Sequence, residues 1–419
     1  MNKTYYWCRL TQQAPLRIGS GFGDETDSDI MKDSRGFPFV PGTSLTGVLR
    51  SYLSEMDGSR LFGTLLPEIC ESHVLISDAV LGVDAKDTDF RITQRDGVGL
   101  SDDGTARKGA KYNFEVVECK KPYTAVIELA DACSAEERTL LEGVLARISA
   151  EGVSFGARTT RGYGLMSAEV KKREFELPKQ LETWLRFDPF EDGCFEDAST
   201  IPLDTASAEH AADSIAILLR LAFRGSFSVR VNTTVLAQAG QKVAPDQMPL
   251  SGFDGHAVIP GTAWAGSFRH HMRHLASGMG RSELMTEVDA LFGAVKDAMI
   301  RSSIRFSETA AEKELRYTTT RTAVDRFTSA PRNQALFTSQ VAQDGEGTLA
   351  IRLPSDTAPD LLRLLACAIN DLNLGLMNVG GEGGVGRGCC EVTELLVNGE
   401  DMTASVKELK TDYLLKEVR

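Results

Sequence analysis

The sequence predicts an α+β chain of two tandem ferredoxin-like, RRM-like domains. Three observations carry that prediction. First, residues 39–50 (FVPGTSLTGVLR) and 258–269 (VIPGTAWAGSFR) repeat one pattern, with Pro41/Pro260, Gly42/Gly261, Thr43/Thr262, Gly47/Gly266 and Arg50/Arg269 in matching places. Second, other landmarks recur in the same order. Leu61-Phe62-Gly63 pairs with Leu291-Phe292-Gly293, and a glycine-rich stretch at 155–164 pairs with one at 380–388. The spacings are 219 for Pro41/Pro260, 230 for Phe62/Phe292 and 226 for Gly162/Gly388. A period this long indicates two fused domains rather than a solenoid. Third, 419 residues suit two domains of ordinary size, each able to bury a core.

The elements follow in order. Tyr5–Leu10 reads as the first strand of domain one, and Phe227–Asn232 as the first strand of domain two. A polar loop with Gly and Asp follows each. Pro-Gly-Thr then opens a helix, with Thr43 and Thr262 or the small residue after each as N-caps, over about 44–56 and 263–275. Apolar strand-like runs come next at 74–80 and 299–306, then long polar, basic insertions. Strands near 114–117, 124–129 and 348–353 precede second helices at 135–149 and 358–372. The glycine-rich stretches lead into last strands at 164–170 and 389–395. This β-α-β-insertion-β-α-β order is the ferredoxin-like arrangement, a scaffold shared with common RNA-binding modules. The expected domains are 1–175 and 215–419, with an acidic linker at 176–214.

Composition narrows the function classes. Hydrophobic content of 42% and charged content of 25% are those of a globular protein. No apolar run reaches the ~18 residues of a membrane span, and residues 1–9 lack a signal peptide's apolar core. A cytoplasmic protein without a membrane partner is expected. The eight cysteines form no C-x-x-C pair, which argues against a zinc ribbon or a disulfide framework. The net charge of −13 weighs against a nucleic-acid partner until its distribution is considered. Residues 182–213 hold nine acidic side chains and one basic, whereas 301–332 hold seven basic and four acidic. Local patches of this kind decide, rather than the bulk charge.

The Pro-Gly-Thr helix motif after a Gly/Asp loop, with a glycine-rich Arg-Gly-x-Gly segment near the end of a ferredoxin-like domain, resembles the RAMP superfamily of CRISPR-associated proteins. More narrowly, it resembles two fused backbone subunits of type III effector complexes. Residues 321–330 (RTAVDRFTSA) are similar to the family's thumb, a hairpin insertion. The resemblance implies contact with a CRISPR guide RNA, a complementary target RNA and other CRISPR effector subunits. It also implies thumbs that displace bases, and a loop Asp before the Pro-Gly helix that supports cleavage of target RNA.

Two aspartates meet that description. Residues 27–33 (DSDIMKD) match the family's loop pattern, and Asp27 lies 14 residues before Pro41. Asp246 lies 14 residues before Pro260, although no Lys-Asp follows it. Asp24, Asp29 and Asp33 are expected to make local turns. RNA carries its own nucleophile in the 2′-hydroxyl, so alignment and charge stabilisation suffice. A carboxylate at Asp27 or Asp246 holding hydrated Mg²⁺ or Mn²⁺ would serve, since these hard ions favour oxygen ligands.

For RNA binding, Arg50 and Arg269 sit on the motif helices, where helix N-termini also offer N–H groups to phosphate. One departure is that Thr46 and Ala265 stand where the family often has Lys. The glycine-rich segments bring Arg158, Arg161 and Arg387 near backbone-approach sites. The insertions supply Arg95, Lys108, Arg321 and Arg326 as cations. Val98 or Leu100 in domain one, and Val324 or Phe327 in domain two, are the candidate wedges, of the apolar kind that part bases. Phe327 packing against its own domain is an equal alternative. His270 and His274 are four apart on a helix and able to reach one Zn²⁺, but a polar face near RNA is favoured. Two rival readings remain: a guide-binding scaffold with no catalytic site, and a guide-processing nuclease, which the lack of a twinned His disfavours.

Overall fold

The computed structural model of the chain describes residues 2–21, 26–65, 69–101, 105–191, 193–196, 199–200, 214–232, 245–295 and 299–415. Two compact units divide it. Unit one comprises Met1–Gly97, Lys111–Thr159 and Tyr163–Ala211, and unit two comprises Val98–Ala110, Thr160–Gly162 and Ala212–Arg419.

Unit one is built on β1 (Asn2–Gln12), α1 (Gly42–Arg50), α2 (Glu55–Phe62), β2 (Val74–Ile76), the base of the hairpin β3 (Phe90–Leu100) and β4 (Ala106–Cys119), whose outer part Val98–Ala110 counts with unit two, β5 (Tyr123–Leu129), α3 (Ala135–Glu151) and β6 (Leu165–Glu176). Its sheet runs β2-β5-β1-β6, all antiparallel, with short strands at the edges. This is the ferredoxin-like order. On β1, Tyr6, Cys8 and Leu10 join the helix-covered core, where α3 contributes Leu141, Val144, Leu145 and Ile148. A capping box starts α3: Glu137 N–H donates to Ser134 Oγ (3.2 Å), and Ser134 N–H donates to Glu137 Oε2 (2.8 Å).

Unit two repeats the plan with β7 (Ser214–Arg224), β8 (Arg230–Asn232), β9 (Gln247–Pro249), α5 (Gly261–Gly278), α6 (Ser282–Phe292), β10 (Arg305–Phe306), the hairpin β11 (Leu315–Val324) and β12 (Pro331–Gln343), β13 (Glu346–Pro354), α7 (Pro359–Asn373) and β14 (Cys389–Val397). The order β10-β13-β7-β14 is that of unit one. The first strand is therefore Ser214–Arg224, not Phe227–Asn232. Both segments alternate, but only the first supplies a continuous buried row, Ile215, Ile217, Leu219, Leu221 and Phe223. Ser226–Phe227 and β8 join the sheet of the hairpin instead.

The Pro-Gly motif has a packing cause. Each motif helix begins at its Gly, with Pro41 or Pro260 at the cap and no side-chain cap bond, so Thr43 and Thr262 do not cap. A Cβ on Gly42 would stand 2.5 Å from the Ile76 carbonyl oxygen, and one on Gly261 2.5 Å from that of Phe306. Only glycine lets these helix starts approach the second strand of their sheets. Gly42 N–H also donates to Asp78 Oδ1 (2.7 Å). The expected helix 44–56 is in fact two, because Ser54 accepts from Asp57 N–H and starts α2.

The repeated helix arginines hold helices together. Arg50 donates to the Gly63 carbonyl and to Ser59 Oγ, both at 2.8 Å. Arg269 donates twice to Asp289 Oδ1, at 2.8 and 3.1 Å, and Arg273 pairs with the same carboxylate. Ser59 and Asp289 are 230 apart, as are the Leu-Phe-Gly triplets, so both arginines grip one matching position on the next helix. Burial pushes the Asp289 carboxyl up, but the bonds from Arg269 and Arg273 outweigh it and hold it below the ordinary 3.8.

Part of the expected acidic linker is attached to unit one. Helix α4 (Leu181–Leu185) and the turn after it lay Trp184, Phe187 and Phe195 on the sheet face opposite the helices, against Tyr5, Trp7 and Phe175. Phe187 lies 5.1 Å from Tyr5 and 5.0 Å from Phe175 between ring centroids, and Trp184 Nε1–H donates to Tyr5 OH (3.0 Å). Residues 201–213 of that linker lie outside the described residues. The sheet face on which RRM modules stack bases is thus closed in unit one. In unit two, the three long strands of the main sheet (β7, β13 and β14) carry one aromatic residue, Phe223, which is buried, and the outer face bears the ion pairs Arg220–Glu394 (2.7 Å) and Arg224–Glu391. No helix among the described residues is long and apolar enough to cross a membrane.

Two stability outcomes follow from this packing. Phe195→Ala is expected to cost about 3 kcal/mol in chemical unfolding, since it removes a buried ring packed on Trp7 and Phe187. Arg269→Met is expected to cost about 2 kcal/mol, because it strips hydrogen bonds from a mostly buried carboxylate, against about 1 kcal/mol for Arg50→Met. The Asp289 carboxyl is depressed in the fold, so its contribution is complete above the ordinary 3.8 and fades as pH falls through its lower folded value. Parent and Arg269→Met unfolding curves should converge there.

Candidate active site and RNA interface

The two loop aspartates are held in the same way. Asp27 N–H donates to Asn113 Oδ1 (3.0 Å), and Asn113 N–H donates to Asp27 Oδ2 (2.9 Å). Asp246 N–H donates to the Thr338 carbonyl (2.8 Å), and Thr338 N–H donates to Asp246 Oδ2 (2.7 Å). Asn113 stands seven residues after the start of β4, and Thr338 seven after the start of β12. Each carboxylate is thus clamped to the returning strand of its own hairpin, at the same depth. At ~3.4 Å per residue, that is about 24 Å along the strand. Both aspartates are exposed, and the second oxygen of each accepts no hydrogen bond from a described residue.

The loop around Asp27 is fastened at further points. Buried Thr26 donates its N–H and its hydroxyl to Asp29 Oδ1, at 3.1 and 2.7 Å. Ile30 N–H donates to Glu115 Oε2 (3.0 Å), and Glu115 N–H to the Ser28 carbonyl (3.2 Å). Asp33 accepts from the N–H groups of Arg35 and Phe37. Asp29 and Asp33 therefore hold turns, while Asp24 lies outside the described residues.

Among the described residues no three His, Cys, Asp or Glu side chains gather to hold an ion. A single exposed carboxylate does suit a hydrated Mg²⁺ or Mn²⁺, which keeps several waters and completes its shell with substrate phosphate. His270 and His274 are exposed on α5, and His271 bonds Asp371 instead (2.7 Å).

The glycine-rich loops align better at a spacing of 224 than at 226. A Cβ on Gly164 would meet the Phe155 carbonyl oxygen at 1.9 Å, and one on Gly388 would meet that of Val379 at 2.0 Å. Arg158 then matches Glu382, both at φ +62°, and Tyr163 matches Arg387. Arg158 Nη1 donates to Tyr112 OH (2.9 Å), and its guanidinium lies over the Tyr112 and Phe114 rings, 4.8 and 4.6 Å from their centroids. Arg161 donates to the Phe292 carbonyl (2.6 Å) and to Ser302 Oγ (3.1 Å), within unit two. Arg387 is 5% exposed and pairs with Glu382, as does Arg321 at 3.6 Å.

Several expected RNA contacts are therefore engaged inside the fold. Arg50 and Arg269 clamp helices, Arg161 ties down backbone, and Arg95, 3% exposed, lies against Tyr163 and Glu118. The hairpin tips differ. Lys108, Arg321 and Arg326 are exposed, as are Val98, Leu100 and Val324. Phe327 is 92% exposed, so it does not pack on its own domain. Asp325 presents it by accepting from Phe327 N–H (3.0 Å) and Thr328 N–H (2.9 Å). The bonds from the Thr328 and Phe327 amides hold the Asp325 carboxyl below its ordinary value.

Sequence reasoning missed Asn113, Thr338, Arg17, Arg230 and Glu382. Glu382 was legible as the one acid in its glycine-rich loop, and Asn113/Thr338 only as a pair at the common spacing. Arg17 lies over Phe114 at 4.6 Å, on the ring that Arg158 also covers.

Comparison with known proteins agrees with the duplicated plan. No curated protein matches this chain. It is similar to two cryo-EM structures of Type III-B Cmr-beta, one in the apo state and one bound to cognate target RNA. Identity is 12% in each, covering 40% and 41% of this chain and 96% and 97% of theirs, with TM-scores of 0.32. The RAMP superfamily model matches twice, over residues 10–167 and 240–391. Two successive matches across most of its length place the chain in the RAMP superfamily, as a tandem of two such domains.

Proposed function

We propose that the chain is a double backbone subunit of a type III CRISPR ribonucleoprotein effector. It binds the guide RNA and cleaves complementary target RNA beside Asp27 and Asp246. One observation carries the reading: two copies that differ in most residues keep an exposed carboxylate 14 residues before the Pro-Gly helix, fixed by the same amide to the same hairpin strand. A residue kept only for a local turn would not need that clamp.

In this reading the target's 2′-oxygen attacks the adjacent phosphorus and the P–O5′ bond breaks. A 2′,3′-cyclic phosphate and a 5′-hydroxyl result, the 2′-hydroxyl releasing its proton to solvent and the leaving oxygen taking one from it. Asp27 or Asp246 accepts a hydrogen bond from the 2′-hydroxyl and orients it for in-line attack. The same carboxylates would hold a hydrated Mg²⁺ or Mn²⁺, which when bound supplies charge stabilisation at the phosphate. The hairpin tips part the guide–target duplex, with Val98 and Leu100 on the first hairpin and Val324 and Phe327 on the second. Lys108, Arg321 and Arg326 neutralise nearby phosphates. Arg158 adds to the RNA-binding surface of unit one, and Arg387, itself buried, holds the matching glycine-rich loop of unit two through Glu382. The protein's partners are then guide RNA, target RNA and further effector subunits.

The test is the assembled effector with end-labelled complementary RNA. Asp27→Ala is expected to abolish one product and Asp246→Ala another. An unchanged ladder in both variants would leave a guide-binding scaffold without cleavage. Asn113→Ala removes a side-chain acceptor from Asp27 N–H and should slow the Asp27-dependent cut about fivefold to tenfold. Thr338→Ala should leave the other cut unchanged, because backbone alone clamps Asp246.

A further inference from the structure

At one position of the matched glycine-rich loops the charge inverts, and both neighbourhoods adjoin a candidate aspartate. In unit one the residue is Arg158. Its guanidinium and that of Arg17 both lie 4.6 Å from the Phe114 ring centroid, and Phe114 is next in sequence to Asn113, the clamp of Asp27. Arg17 Nε is buried without a hydrogen-bond partner. Neither guanidinium forms an ion pair with a described carboxylate. Burial, and then the charge of Arg158, pull Arg17 below its ordinary value.

In unit two the residue is Glu382, and cations converge on it. Arg387 and Arg321 reach Oε2, the latter at 3.6 Å, and Arg230 stands 3.8 Å from Oε1. Arg230 also donates to Gln247 (2.8 Å), the residue after Asp246. Two unpaired cations in one unit and three cations around one acid in the other leave the same surplus of positive charge. The difference is that unit two contains its own anion.

We infer that Glu382 occupies in unit two the place of an RNA phosphate, a place beside Arg17 and Arg158 that no described carboxylate fills in unit one. Carboxylate and phosphate oxygens offer arginine the same acceptor geometry, so one can replace the other. A phosphate entering unit one relieves the repulsion between two like charges. In unit two it must displace Glu382 first. The two copies therefore grip RNA unequally, and Glu382 sets the difference. This inference rests on the proposed RNA binding but not on cleavage.

The experiment is fluorescence anisotropy of the full chain with a labelled single-stranded oligoribonucleotide, titrated with salt. Each phosphate contacted contributes about 0.7 to the slope of log affinity against log salt. Glu382→Gln should tighten binding about tenfold and steepen the slope by about 0.7. Glu400→Gln, the same charge change on an exposed edge strand, should do neither. Arg158→Glu should weaken binding about tenfold and flatten the slope by about 0.7. Equal effects of Glu382→Gln and Glu400→Gln, or no binding by the parent chain, would overturn the inference. Should Glu382→Gln fail to fold because Arg387 loses its partner, Arg158→Glu decides alone, and an unchanged slope refutes it. Loss or persistence of target cleavage is read separately, so the functional proposal and this inference can fail independently.

Discussion

The clamp between each loop aspartate and its hairpin strand is the constraint on which the rest depends. Asp27 and Asp246 project from loops, which alone would let their carboxylates wander. Two short bonds to Asn113 or Thr338 fix them to a β-strand, and that strand also carries the hairpin tip. Whatever engages the tip is thereby registered against the carboxylate. The Pro-Gly helix supports the other end of the loop, through a helix–strand approach so close that no side chain fits at Gly42 or Gly261.

Much of the fold was legible because a duplication offers an internal comparison. Sheet order, both helix pairs and the hairpins follow from landmarks that recur in sequence. The failures have distinct physical causes, the first being that a repeated residue reports a repeated role, and packing supplies roles as readily as ligands do. Arg50 and Arg269 recur because both hold the next helix, at Ser59 or Asp289. The alternation at 227–232 belongs to a strand, but to one that pairs outside the domain's main sheet. The acidic composition of 182–196 hid three aromatic residues that cover a sheet face.

The site was only partly legible. The spacing to Pro41 and Pro260 picks out Asp27 and Asp246, yet Asn113 and Thr338 share no side-chain chemistry, because the amide they contribute belongs to every residue but proline. The glycine-rich loops were aligned two residues off, which hid the facing of Arg158 and Glu382. Steric contact at Gly164 and Gly388 corrects the register, since only those glycines lie against the carbonyls of Phe155 and Val379. Once corrected, the two units differ most where they should bind the same group.

The central claim is that these clamped carboxylates face the scissile nucleotide. Its most direct measurement is a cryo-EM structure of the assembled effector on unmodified target RNA, with EDTA present to hold back cleavage. The account predicts Asp27 and Asp246 each about 3 Å from a 2′-substituent of the target strand. Carboxylates turned toward the guide strand, or separated from the target by a layer of protein, would contradict it.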